Sequence, residues 1–331
     1  MALLINTYGT RIRSSGERIT LNFPNDQKKK EYSARRIEKI IILRPSSISM
    51  GTVQLAIENN IDIVYLGSFG KPAGRIFPSN PKGVTELRRA QLSVANSTKT
   101  FSLAKTIVKG KTKNQIAYLR QLQYETNKDL SKNILQAETI LSSIDMIPED
   151  ISGRDQLFGI EGYIAEKYFS ALKKIYRHNG RNPQKRDKFN SVFNYGYGIL
   201  YNEVERACSY IGLDPYLGLY HSERYGKPSL VLDLVEEFRV PLIDSIIFPL
   251  FVNKKITAKM NFDVINENTY RLSPEGRRKI VEAVYENLNR KIKWAGKQQA
   301  VKSCITHQVR TLGHIFLGKK NEYIPFEYKH H

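Results

Sequence analysis

Apolar positions change their rhythm once along the chain. In residues 1–77 they come as short β-rich runs at 3–8, 18–23, 39–43 and 61–65, separated by turn formers such as Ser14-Ser15-Gly16 and Pro24-Asn25-Asp26. Runs of this length between Gly, Pro, Asn and Ser predict strands. A helix over 50–59 and a short strand around 73–77 complete the unit. Residues 78–83 then stack two prolines, a glycine and polar residues, the composition of a linker. From Val84 onward the spacing becomes three and four, as at Leu87, Ala90 and Val94, and later at Ile116, Leu119 and Leu122, which predicts helices. Ser273-Pro274-Glu275 has the cap, the N1 proline and the first-turn acid of a helix start. One strand pair, 258–264 and 269–272, is expected around Asn266-Glu267-Asn268. The expected fold class is α+β: a small β-rich N-terminal domain (1–77), a short linker (78–83) and a larger, mainly α-helical domain (84–331).

Charge narrows the partner. Among 331 residues, 52 Lys and Arg face 32 Asp and Glu, a net charge of +20 that suits a polyanion. With 41% apolar residues the chain can bury a core, which excludes a disordered tail. Residues 82–130 hold ten Lys or Arg against three acids, with Phe101, Tyr118 and Tyr124 among them. Such a stretch either neutralises phosphates along a DNA duplex or is a solvated helix face. No run approaches the roughly 18 apolar residues of a membrane span, and the start lacks a leader pattern, so a cytoplasmic location with no membrane partner is expected. Cys208 and Cys304 are too few for a disulfide framework or a thiolate metal site.

In so basic a chain the informative residues are acids placed among apolar ones. On the predicted helix 155–176, Leu157, Ile164, Tyr168 and Leu172 share a face, and Glu161 falls in the middle of it, whereas Glu166 lies opposite. A carboxylate aimed at a core must be paired, as with a buried arginine, or protonated, or bound to a metal ion. Asp233, Glu236 and Glu237 stand at i, i+3 and i+4, expected on one helical face with Leu230, Val231, Leu234, Val235 and Phe238 on the other. That triplet suits either solvent or a divalent cation. Twelve residues before Asp233, His221 sits among glycines and prolines in a loop, and an imidazole joined to carboxylates is a mixed site suited to Mn²⁺ or Mg²⁺.

Four stretches together resemble the CRISPR-associated adaptation integrase, the spacer-acquisition nuclease of bacterial and archaeal CRISPR systems. They are Gly159-Ile160-Glu161-Gly162 with Tyr168-Phe169; Phe189-Asn190 through Asn194-Tyr195-Gly196-Tyr197 to Tyr201; Gly212-Leu213-Asp214-Pro215 to His221; and Gly226-Lys227-Pro228-Ser229-Leu230 to Asp233 and Glu236-Glu237-Phe238-Arg239. The resemblance implies an endonuclease and integrase that joins short DNA fragments into the CRISPR array. It implies Mg²⁺ or Mn²⁺ on Glu161, His221 and Glu236, with Asp233 a further acid needed for activity. It also implies a homodimer through the β-rich front, double-stranded DNA as fragment and repeat, and a second adaptation protein flanked by two dimers. Lys227, Arg239 and Tyr201 are candidate DNA contacts, although an Arg239–Glu237 ion pair is the favoured alternative for that arginine. Tyr195 and Tyr197 suit the core equally well, and Asn190 and Asn194 suit helix bracing. Two other functions stay open: a metal-dependent nuclease of branched DNA that cuts without joining, and a non-catalytic basic scaffold.

Overall fold

The computed structural model describes residues 1–24, 29–67, 72–76, 84–95, 97–221 and 225–327. The expected linker at 78–83, and parts of the turn at 24–26 and of the strand at 73–77, lie outside the described residues. The front is built from two four-stranded sheets. One has the order β1 (Ala2–Ile5), β5 (Lys39–Ile42), β7 (Asp62–Leu66), β8 (Pro72–Ile76), and its first three strands are parallel. The other has the order β4 (Lys30–Ser33), β3 (Arg18–Asn22), β2 (Arg11–Ser15), β6 (Ser47–Ile48). The helix α1 (Met50–Glu58) is capped by Ser49, whose side chain accepts from Thr52 N.

Residues in β5 and β7 read as near-continuous apolar runs because this sheet is covered on both faces. Ile40 and Ile63 belong to the front's own core with Leu3, Ile12, Ile19 and Val53, while their neighbours Ile41 and Val64 point the other way, into the core of the helical part. A buried charge cluster also joins the two parts. Lys39 contacts Asp62 (3.1 Å) and Glu203, and Arg75 donates to the Asn202 carbonyl (2.8 Å).

The rear part is helical: α2 (Val84–Val94), α3 (Thr98–Thr126), α4 (Ser131–Ser143), α5 (Ile151–Ile175), α6 (Lys188–Ile211), α7 (Ser229–Val235), α8 (Ser245–Val252), α9 (Ala258–Asn261), α10 (Pro274–Asn289) and α11 (Val301–Phe316). As expected, Ser273 caps α10 by accepting from Gly276 N (3.1 Å). The expected strand at 258–264 is corrected: its first four residues form α9, and the hairpin is β9 (Phe262–Asn266) with β10 (Thr269–Leu272). A second hairpin, β11 (Lys291–Trp294) with β12 (Lys297–Ala300), was not expected. Among the described residues no helix is long and apolar enough to cross a membrane. Cys208 and Cys304 are buried free thiols.

The basic stretch 82–130 is not a solvated face over most of its length. Helix α3 runs through the core, with Lys99 on the Ile315 carbonyl and Lys105 on the Asp145 and Ile147 carbonyls, while Lys109 pairs with Asp145 and Arg120 with Glu138 at the surface.

Candidate functional site

Helix α5 and the turn that follows α7 bring Glu161 and Glu236 together on Lys111 of α3. Asp150 caps α5 by accepting from Gly153 N (2.9 Å), and three turns on Glu161 leaves the apolar stripe of Leu157, Ile164, Tyr168 and Leu172. Facing it is Lys111 of α3, only 5% exposed, whose Nζ lies 2.5 Å from Glu161 Oε1 and 2.6 Å from Glu236 Oε2. Tyr220 donates its hydroxyl to Glu161 Oε2 (3.2 Å). Burial pushes the Glu161 carboxyl up, but the adjacent Lys111 ammonium outweighs it and holds the group at about 2. Burial lowers Lys111, and the two carboxylates more than reverse this.

His221 is held from behind. Its Nδ1 lies 2.5 Å from Asp233 Oδ1, and the carboxylate of Asp233 also accepts from the backbone N–H groups of Leu219 (2.5 Å), Tyr220 (3.4 Å) and His221 (3.1 Å). One fully buried carboxylate therefore fixes both the loop and the ring. Gly218 permits this approach, because a Cβ there would lie 2.7 Å from Ser229 Cβ and 3.1 Å from Asp233 Oδ2.

The acid triplet does not share a face as expected. Helix α7 is buried on all sides, and the chain tightens to a 3₁₀ turn over Glu236–Phe238 and then widens to a π turn over Val240–Asp244. This change of pitch sends the three acids apart: Asp233 to the His221 loop, Glu236 to Lys111, and Glu237 to the C-terminal segment. Glu237 accepts from Tyr323, Phe326 N and Gln308, and burial pushes its carboxyl up to about 7 against those hydrogen bonds. The expected Arg239–Glu237 pair is likewise corrected. Arg239 Nη2 lies 2.8 Å from Glu236 Oε1, and the same nitrogen donates to Tyr201 (3.0 Å).

Lys111, Glu161, His221 and Arg239 line a cavity of about 680 Å³, together with Phe158, Lys173, Arg181, Tyr197 and Tyr201. An adjoining groove of about 350 Å³ shares Arg181, Tyr197 and Tyr201 and adds Arg186 and Arg271. Asn190 and Asn194 brace the loop that carries Arg181, accepting from its Nη1 (2.9 Å) and Nη2 (2.7 Å). Tyr197 is core at one end and wall at the other: its hydroxyl donates to Asp244 (2.7 Å), and the guanidinium groups of Arg181 (5.1 Å) and Arg239 (4.9 Å) both lie near its ring. Tyr195 is fully buried. Lys227 does not line the cavity, and residues 222–224 beside His221 lie outside the described residues.

Among the described residues no three of His, Cys, Asp and Glu come together closely enough to hold a metal ion. An ammonium stands between the two carboxylates instead. Sequence reasoning missed Lys111, Tyr220, Lys173 and Arg181. Lys111 alone had a usable signal, since it continues the apolar stripe of Ala104, Ile107 and Val108.

Comparison with known proteins bears on this arrangement. The family described as CRISPR associated protein Cas1 matches residues 3–286. The chain belongs to the Cas1 family. Among Cas1 relatives, a CRISPR-associated endonuclease from Archaeoglobus fulgidus is 29% identical over 306 residues, covering 86% of this chain and 87% of its own. Another from Thermus thermophilus is 31% identical, covering 88% and 86%. A casposase solved bound to its integration product superposes with a TM-score of 0.85 at 26% identity, covering 99% of this chain and 94% of the casposase. A strand-rich front joined to a helical rear is thus the Cas1 architecture, and the cavity above lies within the matched region.

Proposed function

We propose that this Cas1 family member is a divalent-metal-dependent DNA endonuclease and integrase of CRISPR adaptation, joining 3′-hydroxyl ends of short DNA fragments into the repeat array by phosphodiester transesterification. The observation that carries this reading is the pair of carboxylates, Glu161 and Glu236, facing one another across a cation position beside a cavity with basic walls. The donor types fit Mg²⁺ or Mn²⁺: two carboxylates and an imidazole on separate elements. Glu236 Oε2 supports the fit, being buried and close to an ammonium yet without a directed hydrogen bond. Glu161, Glu236 and His221 would hold the ion, which when bound supplies Lewis-acid stabilisation of charge on phosphoryl oxygens.

The chain's own residues do the rest. Asp233 accepts a hydrogen bond from the Nδ1–H of His221, which leaves the Nε2 lone pair for ligation. Arg181, Lys173 and Arg239 hold phosphates against the cavity wall, and Tyr201 keeps Arg239 in place. The fragment's 3′-hydroxyl oxygen forms a bond to phosphorus and gives its proton to solvent as the target strand's 3′-oxygen leaves with its electron pair and takes a proton from solvent, so the number of phosphodiester bonds is unchanged. Water in place of the hydroxyl gives a nick. Double-stranded DNA, a homodimer built on the β-rich front, and a second adaptation protein complete the proposal; a complex of this fold has been solved as Cas6-RT-Cas1–Cas2. A cytoplasmic location accords with these partners.

The test is a labelled 3′-hydroxyl duplex incubated with supercoiled plasmid and Mn²⁺. The label is expected to become covalently attached to the plasmid, and Glu161→Gln, His221→Ala or Glu236→Gln to reduce attachment to background with circular dichroism unchanged. Nicking without attachment would assign a hydrolytic nuclease. Duplex binding with neither reaction would assign a scaffold.

A further inference from the structure

Lys111 has no place in the ligand set just proposed, yet it holds the position between two of the proposed ligands. Its Nζ contacts one oxygen of each carboxylate, at 2.5 Å and 2.6 Å, so those two oxygens can be no further apart than the two contacts laid end to end. A divalent ion bridging Glu161 and Glu236 would need that space. Two cations cannot share it, because their repulsion in a buried site is poorly screened.

The backbone under Lys111 is fixed. Gly110 packs so tightly on Pro325 that a Cβ would lie 2.3 Å from that ring, and one turn later Asn114 donates to the carbonyls of Glu237 (2.8 Å) and Phe326 (2.7 Å). Any relief must come from the side chain. Lysine has a flexible four-carbon stem, and Lys111 lines the 680 Å³ cavity, so its ammonium has space to enter.

We propose that Lys111 is the resident counter-cation of the site: it holds Glu161 and Glu236 together when no metal is bound, and yields to the metal by swinging into the DNA cavity. The inference rests on the metal-site reading above and adds regulation to it. A displaced ammonium needs an anion, and a DNA phosphate in the cavity provides one. Metal and DNA therefore strengthen each other's binding by the same factor. Lys111 acts here as a positioning residue and is outside the ligand set.

The experiment measures Mn²⁺ binding to the full chain, from the electron paramagnetic resonance of free Mn²⁺, with and without a duplex whose 3′ ends lack the hydroxyl, so that no joining occurs, and whose phosphodiesters are replaced by non-hydrolysable linkages that keep the negative charge, so that no nicking occurs. In wild type the duplex should tighten Mn²⁺ binding about tenfold. Lys111→Met should bind Mn²⁺ about tenfold more tightly than wild type without DNA, and gain little on adding it. Lys111→Arg, which keeps the charge, should bind no more tightly than wild type. If Lys111→Met unfolds without metal, Mn²⁺ should restore its folding, seen as a larger rise in melting temperature than in wild type. Unchanged or weaker Mn²⁺ binding in Lys111→Met, or a variant that Mn²⁺ cannot refold, overturns the inference. Glu161→Gln separates the two readings. If it abolishes Mn²⁺ binding while Lys111→Met leaves binding unaltered, only the counter-cation role fails; if it leaves binding unaltered, the metal-site reading fails as well.

Discussion

Among the described residues, the buried lysines Lys39 and Lys111 are each set between two carboxylates, and they differ in what surrounds them. Lys39 joins Asp62 and Glu203 where the parallel sheet meets α6, and Arg75, Arg206 and the Tyr285 hydroxyl add further contacts to the same carboxylates. All three side chains are at most 7% exposed. Lys111 joins Glu161 and Glu236, but Glu161 is 14% exposed and opens on the cavity with His221. The first cluster is surrounded by groups that belong to the fold, so exchange of its cation would cost the join between sheet and helices. On the reading proposed above, the second would exchange its cation by movement of the Lys111 side chain alone. The two then differ as an ion triad that a ligand can reach, with a further donor beside it, and one that only fastens the fold.

The largest expected effect separates the two lysines by stability. Lys39→Met leaves Asp62 and Glu203 buried without their central cation and should lower unfolding free energy by about 3–5 kcal/mol, read from the denaturant midpoint. A loss below about 1 kcal/mol would place the Lys39 cluster in the same exchangeable class as the Lys111 site.

Acid should weaken both clusters. Glu203 and Glu161 are each held at about 2 in the folded chain, against 4.5 unperturbed, because adjacent cations outweigh burial. A depressed carboxylate contributes stability that is present above about pH 4.5 and is lost as pH falls toward 2. Each contribution is on the order of 3 kcal/mol. Denaturant titrations between pH 5 and pH 3 should show this decline, and Lys39→Met should show a shallower one. Equal slopes would mean that Lys39 does not set the Glu203 proton affinity.

A smaller effect tests the feature that Lys39 lacks, an imidazole braced by a carboxylate. Asp233→Asn keeps the size of the brace but removes its charge, and should lower joining activity or Mn²⁺ affinity about 10–100-fold. Activity within twofold of wild type would show that the His221 loop is held by other means.

How much of this is legible in the sequence depends on whether a residue's neighbours lie close in the chain. The runs in β5 and β7 are legible because a sheet covered on both faces needs consecutive apolar residues. Strand β2 is not, since Arg11, Arg13 and two serines leave Ile12 as its one buried apolar residue. The β11–β12 hairpin hides in a Lys- and Gln-rich segment for a similar reason. Glu161 stands out as a carboxylate within an apolar helical stripe, and its position in the fold agrees with that. Lys111 passes the same test on α3, but its signal is masked by the other cations of residues 82–130. The divergence of Asp233, Glu236 and Glu237 follows from a change of helical pitch after Val235, which a fixed 100° step cannot represent. Arg181 depends on a loop braced by Asn190 and Asn194, a three-dimensional relation without a local pattern.

The most direct measurement is a crystal structure of the full chain soaked with Mn²⁺, phased to give anomalous difference density. A single peak is expected among Glu161, Glu236 and His221, with the Lys111 side chain withdrawn into the cavity. Density at none of these residues, with Lys111 still bridging the two carboxylates at an Mn²⁺ concentration that supports joining, would contradict the assignment of these side chains as the metal centre.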